Sequence, residues 1–324
     1  MSSQAFTSGT SGRSLVFVHG RDFKPPGKDL LSLIDTAVAA GFERDYPDLL
    51  VDYRGLTKEL AYYGDLTNAF LISKGGHYDE QLDLADRRNA FQLLRQIDKK
   101  RKFGVQRYDN LPGKTAIPEF AADIAAPILG ALGFANPLIA KVAKDFGEYW
   151  NAKSDFGSRV RDRIKATLCT AMDRGDQVML ISHGTGSIAA YDVVWELSHD
   201  PELSEQYSDR KIDVWLTLGA PLGDNGVRKN LLGARELVGK RYPKNILSWH
   251  NIAAEDDYTC HDNTVGNDFN TMLKQKMVSC IRDYQIYNLA LRYGKSNPHS
   301  SVGYYIHPRV TQLIADWLMQ GSAS

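Results

Sequence analysis

Cysteine is scarce in this chain: Cys169, Cys260 and Cys280 are the three in 324 residues. Three irregularly spaced thiols make neither a disulfide framework nor a paired zinc site, so a reducing cytoplasm is the expected location. An excess of either charge is also missing, since 39 Lys and Arg balance 39 Asp and Glu. That removes the electrostatic case for nucleic acid or an anionic membrane as a partner. No uninterrupted apolar run is long enough to make a transmembrane segment. The opening residues, Met1 to Ser14, carry no apolar core of a signal peptide. Residues 1–13 therefore read as a flexible tail ahead of a domain spanning 14–324.

Cofactor and metal motifs are absent as well. No G-x-G-x-x-G follows the first apolar run, where His19-Gly20-Arg21-Asp22 stands instead. Gly113-Lys114-Thr115 has Tyr108 where a phosphate loop needs its first glycine, and Gly294-Lys295-Ser296 has Leu289 there. Cys260-His261-Asp262 lacks the second ligand pair of a metal site. No cofactor and no metal are expected.

What is present is an alternation of short apolar runs and helical patterns. Leu15-Val16-Phe17-Val18 predicts a first strand, and Asp29 to Ala40 a helix with Leu30, Leu31, Leu33, Ile34 and Val38 on one face. Leu49 to Tyr53 predicts a second strand, and Glu80 to Lys100 a charged helix. Gln177 to Ile181, Asp213 to Leu218 and Ile246 to Ile252 predict further strands. Helices are predicted over Ser187 to Leu197 and Pro308 to Met319. This is the pattern of an α/β fold, a mostly parallel sheet with helices on both faces. Ligands of such sheets sit at the carboxyl ends of the strands, which here carry His19-Gly20, His183-Gly184, Gly219-Ala220 and Asp256-Asp257. The stretch from about 109 to 150 breaks the alternation. Its Ala-, Ile- and Leu-rich segment, interrupted by Pro118 and Pro127, predicts short helices inserted as a cap.

One turn carries more specific information. Ile181-Ser182-His183-Gly184-Thr185-Gly186-Ser187 joins a strand to a helix through small residues at 182 and 186. It resembles the nucleophile elbow of the α/β-hydrolase superfamily, small-x-nucleophile-x-small, with glycine at the apex. Thr217-Leu218-Gly219-Ala220-Pro221-Leu222 is similar to a strand end of lipase-like members, such as the GPI inositol-deacylase group. His19-Gly20 resembles the loop supplying one oxyanion-hole amide, here from Arg21 or Asp22, with the partner amide from Thr185. Trp249-His250-Asn251 followed by Asp257 resembles the strand that delivers the triad acid, and Asn297-Pro298-His299-Ser300-Ser301 the histidine loop. The order nucleophile, acid, histidine is the one this superfamily uses.

The resemblance implies an esterase- or lipase-like carboxylic-ester hydrolase acting on a small acyl or lipid-like substrate. Gly184 would hold the nucleophile position, Asp257 and His299 would be acid and base, and Arg21 and Thr185 would form the oxyanion hole. Asp256 is the alternative acid, and His307, just before Pro308, the alternative histidine. Ser182 lies in the strand turn and Ser187 in the first helical turn, so neither replaces an apex serine. Without a nucleophile no acyl-enzyme forms at the apex. The alternative reading is a non-catalytic hydrolase-fold module that binds a small acyl ligand or a protein partner.

Overall fold

The computed structural model describes residues 12–113, 147–260, 262 and 264–320. Six parallel strands form one sheet: β1 Arg13–Val18, β2 Thr57–Ala61, β3 Gln177–His183, β4 Ile212–Leu218, β5 Ile246–Ala254 and β6 Cys280–Ile286. Their spatial order is β2-β1-β3-β4-β5-β6. The chain moves outward from β1 to β2, then returns to place β3 on the other side of β1. The crevice between the ends of β1 and β3 is thus a topological switch point, where open parallel sheets hold ligands.

Among the longer helices are α1 Gly27–Asp45, α2 Leu50–Gly55, α3 Gly64–Ser73, α4 Glu80–Arg95, α5 Phe156–Asp173, α6 Gly186–His199 and α7 Pro308–Gln320. Strand alternation sends Leu15, Phe17, Met179 and Ile181 to one face of the sheet, where they pack on α1, α4 and α7. Val16, Val18, Val178 and Leu180 point to the other face, against α5 and α6. In α1, Leu30, Ile34, Ala37, Val38 and Phe42 recur at three- and four-residue spacing and are buried. Both faces of the central strands are covered, so these strands read as continuous apolar runs.

Two expectations are corrected. Leu49 to Tyr53 is not a strand: Pro47–Leu49 is a single 3₁₀ turn and α2 follows it. Tyr53 is buried while Val51 is 77% exposed, so the run has a helical inside and outside. The strand of that region is β2, a sheet edge whose residues are exposed or half-buried until Ala61. The opposite edge, β6, has the same partly exposed character and carried no apolar signal. An edge strand has one hydrogen-bonded neighbour and less cover on its faces, so its sequence need not be apolar. β1 begins at Arg13, inside the stretch read as tail, and residues 1–11 lie outside the described residues. The cap expected over 109–150 falls mostly at 114–146, also outside them.

Candidate active site

Four strand ends converge at the carboxyl edge of the sheet. The β3–α6 turn has Gly184 at φ 56°, in the left-handed region that an elbow apex occupies. Its N–H donates to the Leu218 carbonyl at 2.8 Å, extending the ladder one residue past the strand. A side chain at residue 186 would collide with the His19 carbonyl, so glycine is required where the end of β1 meets the start of α6. Ser182 and Ser187 are fully buried, their hydroxyls 2.8 Å apart, and Trp215 Nε1 donates to Ser182 at 3.0 Å. Neither hydroxyl reaches the apex.

Asp257 follows β5, and His299 follows β6 and the separate hairpin Leu291–Arg292/Lys295–Ser296. His299 Nδ1 lies 2.9 Å from Asp257 Oδ2 and 3.1 Å from Oδ1. The Asp257 carboxylate is wholly buried and also accepts from the Tyr304 hydroxyl at 2.7 Å and the Thr259 amide at 3.1 Å. Burial pushes its pKa up, but the facing His299 and these donors outweigh burial and hold the carboxyl below its ordinary value. Burial likewise pulls His299 down, and the carboxylates of Asp257 and, less strongly, Asp22 more than reverse this, so His299 is raised. An ionised Asp257 accepts the hydrogen bond from the Nδ1–H of His299, which leaves the lone pair on Nε2. Nε2 faces residue 184: a Cβ placed there would sit 2.9 Å from it.

Asp256 and His307 are placed elsewhere. Asp256, at φ 58°, accepts from the Tyr108 hydroxyl at 2.8 Å. His307 packs on Phe103, and its Nδ1 accepts from the Arg309 amide at 3.1 Å, closing the start of α7. The amide of Arg21 donates to the Thr185 hydroxyl at 3.1 Å, so this expected oxyanion donor already has an acceptor. Thr185 itself stands at the opening of α6, where amides are not consumed by helix bonds.

Several residues that sequence patterns did not single out build this site. Asn288, fully buried, donates to the carbonyls of Pro298 at 2.8 Å and Ser300 at 2.9 Å, clasping the loop on both sides of His299. His183 Nε2 donates to the His299 carbonyl at 3.1 Å, and burial keeps the ring neutral. A Cβ at Gly219 would meet Asp257 Oδ2 at 2.7 Å and the Tyr304 hydroxyl at 2.9 Å, so the glycine at the end of β4 makes room for the Asp257 carboxylate. His183 and Gly219 lie in the strand-end motifs, while the contacts of Asn288 and Tyr304 have no local sequence signal.

His19 closes the floor. Its Nδ1 donates to the Gly20 carbonyl at 2.7 Å and its Nε2 accepts the Tyr63 amide at 3.1 Å. Burial pushes its pKa down to about 3, so it stays neutral and holds the loop that follows β1. His299, His19 and His183 line a cavity of about 470 Å³ whose walls also carry Lys24, Arg87 and Arg292. A narrow apolar cleft on the other side of Arg21 runs between Phe70, Leu71, Phe156 and Val160. Among the described residues there is no cluster of three metal-ligating side chains, and His261 lies outside those residues. No helix among them is long and apolar enough to cross a membrane. Comparison with protein-family models, with curated proteins and with solved structures found no match to this chain.

Proposed function

We propose that this chain is a carboxylic-ester hydrolase scaffold of the α/β-hydrolase type, with acid and base in place and a water in the role of the serine. The observation that carries this reading is the direction of His299: Nδ1 is on Asp257 and Nε2 faces the apex glycine. The chain order of elbow, acid and histidine, each at a strand's carboxyl edge, supports it.

The chemistry balances without a covalent intermediate. Water gives a proton to His299 Nε2 while its oxygen attacks the ester carbonyl carbon, and the carbonyl oxygen becomes an oxyanion. The Thr185 amide and an amide of the Arg21–Asp22 loop are the donors for that oxyanion. Collapse breaks the carbon–oxygen bond to the alcohol, which takes the proton back from the imidazolium. Asp257 stays ionised throughout and keeps the useful tautomer. Serine hydrolases stripped of their triad keep an acceleration on the order of a thousand-fold over water from binding and the oxyanion hole. Slow turnover is the expectation.

A second reading, the non-catalytic module binding an acyl ligand, is favoured by one observation. The Arg21 amide is bonded to Thr185 Oγ1, so an incoming oxygen must displace that hydroxyl.

Hydrolysis of short-chain nitrophenyl esters by the unaltered chain, His299→Ala and Gly184→Ser separates these readings. Slow, burst-free turnover that disappears in His299→Ala supports the water mechanism. Turnover confined to Gly184→Ser supports the binding module on a hydrolase frame. Absence of turnover in all three overturns the hydrolase reading.

A further inference from the structure

The cavity beside His299 has a charged wall. Its cations differ in how they are paired. Arg87 Nε lies 2.8 Å from Asp83 Oδ2, and Arg292 Nη2 lies 2.6 Å from Asp83 Oδ1 while its Nε bonds Asp86. Those charges cancel within the knot that ties α4 to the hairpin Leu291–Arg292/Lys295–Ser296. Arg21 and Asp22 pair at 3.3 Å. Lys24 forms no direct ion pair with a carboxylate among the described residues, although it is 8% exposed; Asp22 and Asp83 act on its charge only from beyond contact. Its ammonium donates to the Arg21 carbonyl and, at 3.4 Å, to the Asp22 carbonyl. An ammonium has three N–H donors, so one is left over in a residue that lines the cavity.

An unpaired buried cation is costly, and an anion brought to it recovers much of that cost. We propose that Lys24 is the recognition site for a carboxylate or phosphate group on the substrate, making the preferred ligand an anionic ester and not a neutral lipid. This rests on the reading of the cavity as the substrate chamber. Both groups are already placed for it: Lys24 and His299 line one cavity of about 470 Å³, large enough for a short half-ester.

Protonation gives the proposal a readout that structural bracing would not show. Burial pushes the Lys24 pKa down to about 7, with Asp22 and Asp83 opposing and Arg87 and Arg292 adding to the shift. Other titratable groups lining the chamber include His77, Tyr78 and Asp79, together with His19 and His183, which stay neutral, and His299, whose pKa is raised by Asp257 and Asp22. An anion on Lys24 raises its pKa, so binding takes up a proton near neutral pH. Affinity is then highest below about pH 7 and falls as the pH rises above it.

Calorimetric titration of the unaltered chain with monoethyl succinate and with diethyl succinate tests this at pH 6.5 and 8.5. Propyl phosphate, in a third arm, ranks phosphate against carboxylate. The expected result is at least ten-fold tighter binding of the half-ester than of the diester at pH 6.5, and less preference at pH 8.5. Repeating the titration in buffers of different ionisation enthalpy should show proton uptake. Lys24→Met should lose the preference and Lys24→Arg should keep part of it. Equal binding of both esters, no binding of either, or an unchanged preference in Lys24→Met overturns the proposal. Should Lys24→Met not fold, proton uptake by the unaltered chain decides: its absence overturns the site. Anion preference without turnover of any ester sinks the hydrolase reading alone; ester turnover without anion preference sinks this one alone.

Discussion

The imidazole of His299 and a side chain at residue 184 compete for the same space: a Cβ on Gly184 would stand 2.9 Å from Nε2 and 3.1 Å from Cε1. A serine at this elbow therefore needs the ring to retreat by several tenths of an ångström. With glycine, the base comes forward onto the apex. The imidazole of His299, backed by the Asp257 carboxylate, fills the space that a side chain at residue 184 would need.

Alanine at either of two glycines measures how tightly this arrangement is packed. Gly184→Ala adds left-handed strain at φ 56° and one contact with a ring that can move. A loss of about 1–2 kcal/mol is expected. Gly219→Ala, at φ 57°, meets Asp257 Oδ2, Tyr304 Oη and His299 Nδ1 together, at 2.7, 2.9 and 3.2 Å. Its loss should be larger, about 2–4 kcal/mol. Urea unfolding of both variants checks the order, and a smaller loss at 219 than at 184 contradicts this packing.

Tyr304 works on Asp257 through one hydroxyl. It donates to Oδ2 at 2.7 Å and accepts the Ala254 amide at 2.9 Å. Tyr304→Phe leaves a buried amide without an acceptor and should cost about 1–3 kcal/mol. It should also raise the Asp257 pKa, read from the pH titration of its carboxyl carbon by NMR. An unmoved titration would mean that His299 alone sets the charge of the acid.

Asn288 should couple stability to the position of His299. Asn288→Ala removes the donors to Pro298 and Ser300 and the acceptor of the Ala290 amide. Those three buried partners predict a loss of about 2–4 kcal/mol. In the Gly184→Ser background, ester turnover should fall at least about ten-fold, since a displaced base loses its alignment. Full turnover in a folded Asn288→Ala variant would show that the loop holds itself.

Two buried histidines should make the fold acid-sensitive. Burial lowers both His19 and His307 to about 3, below their unfolded value. Between that value and about pH 6.5 the unfolded chain binds more protons, so stability falls as pH falls, by up to about 1.4 kcal/mol per pH unit for each ring. His299 has the opposite sign: its raised pKa contributes stability below the unfolded value, lost as pH rises through the folded one. Asp257, lowered, contributes above its unfolded value of 3.8 and loses this as pH falls. His307→Asn keeps an acceptor for the Arg309 amide and removes one titrating ring. Urea midpoints at pH 5 and pH 7 should lie closer together in that variant than in the unaltered chain. An unchanged gap would remove His307 from the account.

The sequence by itself determined the central strands, because β1, β3, β4 and β5 are covered on both faces and had to be apolar. It also determined the small residues of the elbow, where β1 and α6 approach too closely for side chains at 186. The tertiary structure decided what depends on more distant neighbours. The edge strands β2 and β6 form by pairing with β1 and β5, and their half-exposed residues did not announce them. Leu49 to Tyr53, apolar enough for a strand, became helical because Tyr53 packs on Phe42 of α1 while Val51 faces solvent. Between Asp256 and Asp257, spacing favoured 257 without a structural reason; a left-handed backbone at 256 turns one carboxylate to Tyr108 and leaves the other to His299. Asn288, Tyr304 and Lys24 owe their places to partners brought together by folding. A side chain's hydrogen bonds and charge environment belong to the packed chain, and periodicity along the sequence cannot encode them.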